Sequence, residues 1–347
     1  MTWLPLLLAD PSPCLRWLVL RDLFQRPERD PELQELESQR ESDPLFTEIL
    51  ELQNRDGSWS ADAKTRSGPG SDRIYSTAFA MTRLGYLGFN LSHPAIARAA
   101  EYLFRRQQPD GSWPLGQYDV RTDGVELPAR ERYSMIPLQT AFPLRGLAAC
   151  GYERDPRAER AFDWLLNQRL PDGAWPTGIS AGVYGGVGGY RRLAHSRWGC
   201  RSNTTGVLIC LALHPERSKS ESARRAIDHL LGRETREVQA VGYEVARLTG
   251  AEIPRGFLTY FARFDLGLLL DLCGRVGISK DDPRVADLLS FIQSLQGKYG
   301  LWEYSDRPQI SRWLTFDLMR SIARLDKEGS WVGQEPRTPF RPYPRRK

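Results

Sequence analysis

The sequence predicts an almost all-α chain built from helical hairpins, and three observations predict it. The first is a repeated segment in which a glutamine is followed by a glycine turn and a tryptophan: "ELQNRDGSWS" at 51–60, "RRQQPDGSWP" at 105–114, "LNQRLPDGAWP" at 166–176 and "SLQGKYGLWEY" at 294–304. The tryptophans Trp59, Trp113, Trp175 and Trp302 lie 54, 62 and 127 residues apart, so the last interval is about two periods and hides one degenerate copy. The second is apolar spacing at the helical period between the copies. The third is the recurrence of "HP", "DP" or "DDP" just before an apolar run, where the first residue caps a helix and proline fits its first turn.

Taken in chain order, "SPCLRWLVLRDLFQ" and "DPLFTEILELQ" read as helices that precede the first signature. After it, "YSTAFAMTRLGYLG" is a helix, followed by "HPAIARAAEYLFRRQQ", in which Ile96, Ala99, Ala100, Leu103 and Phe104 mark one face. "LQTAFPLRGLAACGY" and "DPRAERAFDWLLNQR" repeat the pair, the latter with Ala158, Ala161, Phe162, Leu165 and Leu166 on one face. "NTTGVLICLALHP" comes next, and "AIDHLLGRETREVQ" at 226–239 fits the degenerate copy, ending at Gln239 without a tryptophan. "SRWLTFDLMRSIARL" closes the series, giving about five hairpins of 55–65 residues. No sustained alternation of period two demands a sheet. Hairpins of this kind bury their apolar faces against neighbours, in an open solenoid or a closed ring. The expected division is an N-terminal helical extension over 1–45, the hairpin domain over 46–330 and a basic Pro-rich tail over 331–347.

Hydrophobic residues make up 41% of the chain and charged residues 26%, a soluble globular profile with ten tryptophans. The net charge of +5 comes from the tail: "RTPFRPYPRRK" holds five bases and no acid, leaving 43 bases against 43 acids elsewhere. Charge therefore offers no argument for nucleic acid as a partner. Cys14, Cys150, Cys200, Cys210 and Cys273 are scattered without a CxxC pair, the pattern of small buried thiols in a reducing compartment. The opening "MTWLPLLLADPSPC" has no basic leader and an apolar run too short for a signal or a membrane span, so a cytoplasmic protein is expected.

The four copies "QNRDGSW", "QQPDGSW", "QRLPDGAW" and "QGKYGLW" resemble the QW repeats of the terpenoid cyclase and protein prenyltransferase superfamily, which includes squalene-hopene cyclases. The resemblance covers about residues 46 to 328 and implies an α/α toroid, with inner and outer helices alternating around a central cavity. The motif itself reads as scaffold: the glutamine bonds backbone groups at a helix end, the glycine makes the turn, and the tryptophan stacks under the neighbouring copy.

The family's catalytic groups do not all carry over. Its alkene-protonating cyclases use a DxDD motif before Thr-Ala; aligning Thr77 and Ala78 puts Arg73, Tyr75 and Ser76 at the acid positions, and Asp72 reads as a helix cap. Its prenyltransferases hold zinc with an Asp-x-Cys pair and a distant histidine, and no Asp-x-Cys surrounds Cys200 or Cys210. No metal and no other cofactor is called for.

One segment resists a purely structural reading. From Gly173 through Pro215 there is no acid, while Tyr190, Arg191, Arg192, His195, Arg197, Trp198 and Arg201 cluster after the glycine-rich "GISAGVYGGVGG" that contains Tyr184. The functional reading is a loop that brings guanidinium groups to a diphosphate, sulfate or carboxylate, with "SNTTG" opening a helix toward the anion. The alternative is a surface loop paired with acids elsewhere. A second insertion, "GQYDVRTDGVELPARERYSM" at 116–135, carries Asp119, Asp123 and Tyr133 and occupies the same place in its hairpin. Asp265, Asp271 and Asp317 lie on apolar helices, either as inward acids, with Asp265 a candidate general acid, or paired with Arg263, Arg275 or Arg320.

The expected function is isoprenoid binding or processing in an aromatic-lined central cavity, with a prenyl diphosphate among the candidate ligands; the expected partner is an apolar or amphiphilic small molecule with an anionic head group. The alternatives are a lyase acting on an acidic glycan, with Tyr133, Tyr184 or Tyr190 moving the proton, and a non-catalytic toroid that binds a lipid or protein.

Overall fold

The computed structural model describes residues 3–60, 73–113, 136–177, 179–180, 183–184, 191–232, 239–252, 260–261, 263–305 and 307–328. The loop acids Asp119 and Asp123, the loop tyrosines Tyr133 and Tyr190, and the basic tail lie outside the described residues. Short helices α1 (Trp3–Leu8), α2 (Pro13–Leu18, continued by a wide turn over Val19–Leu23) and α3 (Pro31–Gln39) come first. Five hairpins then follow. Their outer helices are α4 (Pro44–Leu50), α6 (Pro94–Phe104), α8 (Pro156–Asn167), α10 (Glu221–Leu231) and α13 (Pro283–Ser294). Their inner helices are α5 (Arg73–Tyr86), α7 (Pro137–Ala149), α9 (Arg201–Leu213), α12 (Leu266–Val276) and α14 (Pro308–Glu328).

The caps read from the sequence form as expected. Asp43, His93, Asp155 and Asp282 each accept a backbone N–H at the start of an outer helix whose first residue is proline, and Ser220 caps α10. The outer helices bury one stripe, as Ala158, Ala161, Phe162 and Leu165 do in α8. The inner α7 and α9 are buried on nearly every face, so they show apolar composition without amphipathic period.

Inner helices neighbour one another in the order α5, α7, α9, α12, α14. The series closes on itself. Tyr86 of α5 meets Trp313 of α14 with ring centroids 5.6 Å apart, and a short helix α11 (Tyr243–Leu248) packs against both. Arg83 Nε of α5 donates to the Leu248 carbonyl at 2.9 Å. The architecture is thus an all-α closed ring, the α/α toroid. Gly146 permits the close approach of α7 to α5: a Cβ there would lie 2.6 Å from the Ala78 carbonyl oxygen. Two minimal strand pairs decorate the ring. β1 (Ile179–Ser180) and β2 (Val183–Tyr184) are antiparallel, whereas β3 (Gln239–Ala240) and β4 (Phe264–Asp265) are parallel.

The repeated motif is a hydrogen-bond circuit. Each tryptophan indole donates back to the outer helix it follows: Trp59 to Ile49, Trp113 to Leu103, Trp175 to Leu165 and Trp302 to Ile292, all at 2.7–2.8 Å. Each tryptophan backbone N–H donates forward to a threonine on the inner helix, Thr77, Thr140, Thr204 and Thr315 in turn. The glutamine spans repeats: Gln53 Nε2 bonds its own turn at Gly57 and the Ala95 carbonyl of the next outer helix, and Gln107 does the same with Gly111 and Arg157. The tryptophan therefore ties together its own hairpin, and the glutamine reaches the neighbour. At the turn, Gly111 has φ +95° and a Cβ would fall 2.4 Å from the Arg160 carbonyl oxygen, so glycine is required twice over.

In the degenerate copy α10 ends at Leu231, inside the segment 226–239 read as that copy. The place of the tryptophan turn is taken by the longer excursion through β3 and α11 before α12 begins. All five cysteines are buried and free. No helix among the described residues is long and apolar enough to cross a membrane.

Candidate functional site

Among the described residues, aromatic side chains pack on one another in one part of the ring and a cavity lies in another. Near the N-terminal ends of the inner helices, Tyr75 and Phe142 meet edge to face at 5.0 Å, Phe142 meets Tyr260 at 5.0 Å, and Tyr260 meets Phe261 at 4.6 Å. The aromatics expected to line a cavity are thus packed on one another. Burial pushes the Tyr75 and Tyr260 hydroxyls well above the usual phenol range.

Toward the C-terminal ends of α5, α7 and α9 lies a cavity of about 550 Å³, walled also by α11, α12 and α14. Tyr86 is its one aromatic lining residue among those described. Part of the lining is apolar, with Ile209, Leu213, Val245, Leu248, Leu268 and Leu314, and much of the rest is charged.

Its floor is a buried ion pair. Arg145 of α7 reaches Glu244 of α11 at 2.6 Å, and Arg247 pairs with the same carboxylate while donating to the Tyr260 carbonyl. Burial alone would raise the Glu244 carboxyl, yet Arg247 and Arg145 more than offset it and hold it below its ordinary value. Beside this pair, Asp265 caps α12 and clasps α11. Its Oδ1 accepts from Gly242 and Gly267 and its Oδ2 from Glu244, the last at 2.6 Å. Burial pushes Asp265 up to about 6, against those backbone donors.

Nearer the mouth, Asp271 is shared by Arg275 (2.6 Å) and Arg324, while Asp317 pairs with Arg320 at 2.6 Å. Asp22, from the turn after α2, joins Arg21 at 2.6 Å and Arg320 at 3.4 Å. Burial opposes ionisation of Asp271, but Arg275, Arg324 and Arg320 hold its carboxyl well below the usual range. Asp317 is raised by burial and, beyond what Arg320 offsets, by neighbouring Asp271.

The arginine loop is elsewhere. Arg192, His195 and Arg197 are exposed, Arg191 and Trp198 are half-buried, and the Arg197 guanidinium lies 5.0 Å from the Trp198 ring. Arg201, the first residue of α9, is buried with its charge 5.6 Å from the Phe264 ring, and burial lowers its pKa. Tyr184 sits in β2, and its side chain is outside the described residues. None of the described loop residues lines the cavity. The described part of the loop joins the N-terminal end of α9, away from the residues that line this cavity. Of the sequence candidates the cavity takes in Asp265, with Asp271 and Asp317 beside it. Sequence reasoning passes over Arg145, Glu244 and Arg324; the available signal is a lone charge inside a helix otherwise apolar on all sides, as in "LQTAFPLRGLAACGY".

Asp265 should leave a mark on the pH dependence of stability. Its folded pKa lies above the ordinary 3.8, so between about 4 and 6 the folded state holds a proton that the unfolded chain has released. Its contribution therefore falls as pH rises through that window and is flat above it. Urea titrations of the wild type and Asp265→Asn at pH 4 to 7 should show the difference in stability shrinking over this range. A constant difference would contradict it.

A family model described as the squalene-hopene cyclase C-terminal domain matches residues 33–193. A probable squalene–hopene cyclase of Sinorhizobium fredii is 29% identical over 127 residues, 37% of this chain and 18% of that one. Lanosterol synthase of Candida albicans is 28% identical over 138 residues, 39% and 18% of the two chains. The chain spans about a fifth of the length of the curated relatives it matches. Among solved structures, the apo type II terpene cyclase MstE from Scytonema aligns over 81% of this chain and 96% of its own, at 16% identity and a TM-score of 0.34.

Proposed function

We propose that this terpenoid cyclase-like chain binds an isoprenoid with an anionic head group in the cavity of its helical ring. The observation that carries the reading is the mixed lining of the cavity: Ile209, Leu213, Val245, Leu248, Leu268 and Leu314 share it with the guanidinium groups of Arg21, Arg145, Arg275, Arg320 and Arg324. The volume of the cavity suits one small amphiphile, since ligand pockets run to roughly 300–1,000 Å³. The apolar side chains would bury the hydrocarbon chain, and the arginines would meet the head group.

The proposal is one of binding, or of group transfer, rather than of cyclisation begun by a carboxyl proton. Alkene protonation needs a strong acid with an unengaged proton. Among the described residues of the cavity, Asp22, Glu244, Asp271 and Asp317 are ion-paired and Asp265 accepts backbone N–H groups on both oxygens. In this reading Asp265 positions α11 and α12 instead of donating a proton.

Calorimetric titration of the full chain with farnesol and with farnesyl diphosphate tests it. Both should bind, and Ile209→Trp, which fills the apolar part, should weaken both at least about tenfold (roughly 1.4 kcal/mol) while the variant keeps its cooperative melting. Absence of binding by the wild type would overturn the reading.

A further inference from the structure

The wall of the cavity belongs to the ring except at one place. Among the described residues its lining comes from the inner helices and the segment around α11, apart from Arg21 and Asp22, which stand in the wide turn after α2. That turn ends an N-terminal arm, residues 3–23, that lies across the seam of the ring. On one side the arm meets α14: Asp10 pairs with Arg312 at 3.0 Å and Asp22 with Arg320 at 3.4 Å. On the other it meets the loop after α5, where a Cβ at Gly88 would lie 2.7 Å from the Trp17 ring. The helices α1 and α2 have six residues each, too short to hold their shape without the ring. The chain that follows is exposed from Phe24 to Arg29, and Gln25 adopts the left-handed conformation at φ +53°. A π-type turn such as Val19–Leu23 is rare and recurs at functional sites.

We propose that the arm is a hinged wall of the cavity, swinging about residues 24–29, and that a ligand enters where Arg21 and Asp22 leave the lining. The identity of the ligand rests on the proposed function; the hinge does not. The ties of the arm can be released at modest cost. Arg21 and Asp22 pair with each other at 2.6 Å and so depart as a neutral unit, while Arg320 keeps Asp317 at 2.6 Å. Arg312, the partner of Asp10, is already 30% exposed. The inner helices offer no such release, since α7 and α9 are buried on nearly every face. A competing account is a fixed arm that only staples the seam.

Native cysteines read the motion. Cys14 lies in the arm with its Sγ against the Arg40 carbonyl, and burial first, then Asp43, pushes its thiol far above the usual range, so it reacts only when the arm lifts. Cys210 and Cys273 lie buried on α9 and α12. The test is thiol labelling of the full-length chain under native conditions, read cysteine by cysteine by mass spectrometry. Cys14 should label at least about tenfold faster than Cys210 and Cys273, because local opening costs less than global unfolding. Asp10→Asn, outside the cavity, should speed Cys14 by about threefold or more without speeding the other two, and Arg312→Gln should do the same from the other side of the pair. Farnesol at about ten times its dissociation constant should slow Cys14 about tenfold. In Ile209→Cys the thiol placed inside the cavity should label in step with Cys14 and gain the same factor from Asp10→Asn. Cys14 labelling no faster than Cys210 and Cys273, or acceleration of all three together by Asp10→Asn, would overturn the hinge and leave the staple. Rapid labelling of Ile209→Cys whatever the state of the arm, or bound farnesol without effect on Cys14, would overturn the arm as the entrance. If farnesol fails to bind while the cavity thiol still follows Cys14, the entrance stands and the isoprenoid reading falls.

Discussion

Glu244→Ala is expected to cost about 3–5 kcal/mol of folding stability, the usual scale for removing one partner of a buried ion pair. The carboxylate is 4% exposed and is the shared acceptor for Arg145 and Arg247, themselves 7% and 1% exposed. Removing it leaves two guanidinium groups desolvated without an anion, and a buried arginine cannot shed its proton as a lysine can. Those two arginines come from α7 and α11, so the loss also loosens the floor of the cavity and the helix that helps close the ring. Chemical denaturation followed by circular dichroism measures it. A loss below about 1 kcal/mol would mean that water or another acceptor reaches both guanidiniums.

Trp113→Ala should be as damaging, at about 3–5 kcal/mol, because a fully buried indole is replaced by a void. The same change removes the donor to the Leu103 carbonyl and unsettles the turn whose backbone N–H reaches Thr140. Trp113→Phe separates the two contributions: it keeps most of the volume and removes only the indole's bond to the Leu103 carbonyl, which still accepts from the Arg106 N–H, for an expected loss of about 0.5–1.5 kcal/mol. If Trp113→Phe were as costly as Trp113→Ala, the lost hydrogen bond would outweigh the lost packing. Because the circuit is repeated at Trp59, Trp175 and Trp302, similar ratios are expected there.

How much of this is legible from sequence differs between scaffold and site. The four signatures, the capped outer helices and the hairpin count can be read directly, because a turn, a cap and an apolar stripe are made by residues close together in the chain. The threonines that receive the tryptophan N–H groups, Thr77, Thr140, Thr204 and Thr315, stand in the same copies but do not announce their role, since their partners lie across a loop of varying length. The degenerate copy can be located from the spacing of its neighbours. Its content cannot, because the excursion through α11 that supplies Glu244 and Arg247 replaces the motif instead of repeating it.

The charged cavity is hardest to foresee. An acid-free run of arginines attracts attention in a sequence, yet Arg192 and Arg197 face solvent. The inner-helix arginines that line the cavity, Arg145 on α7, Arg275 on α12 and Arg320 and Arg324 on α14, are scattered over three hairpins. By itself the sequence determined the repeat, the hairpins and their caps, all products of local hydrogen bonding and helical period. Only the tertiary structure decided where, among the described residues, the aromatics pack on one another and where the charged cavity lies. That choice depends on where the segment before α12 inserts Tyr260 and Phe261, and on charges from different hairpins meeting where burial makes pairing obligatory.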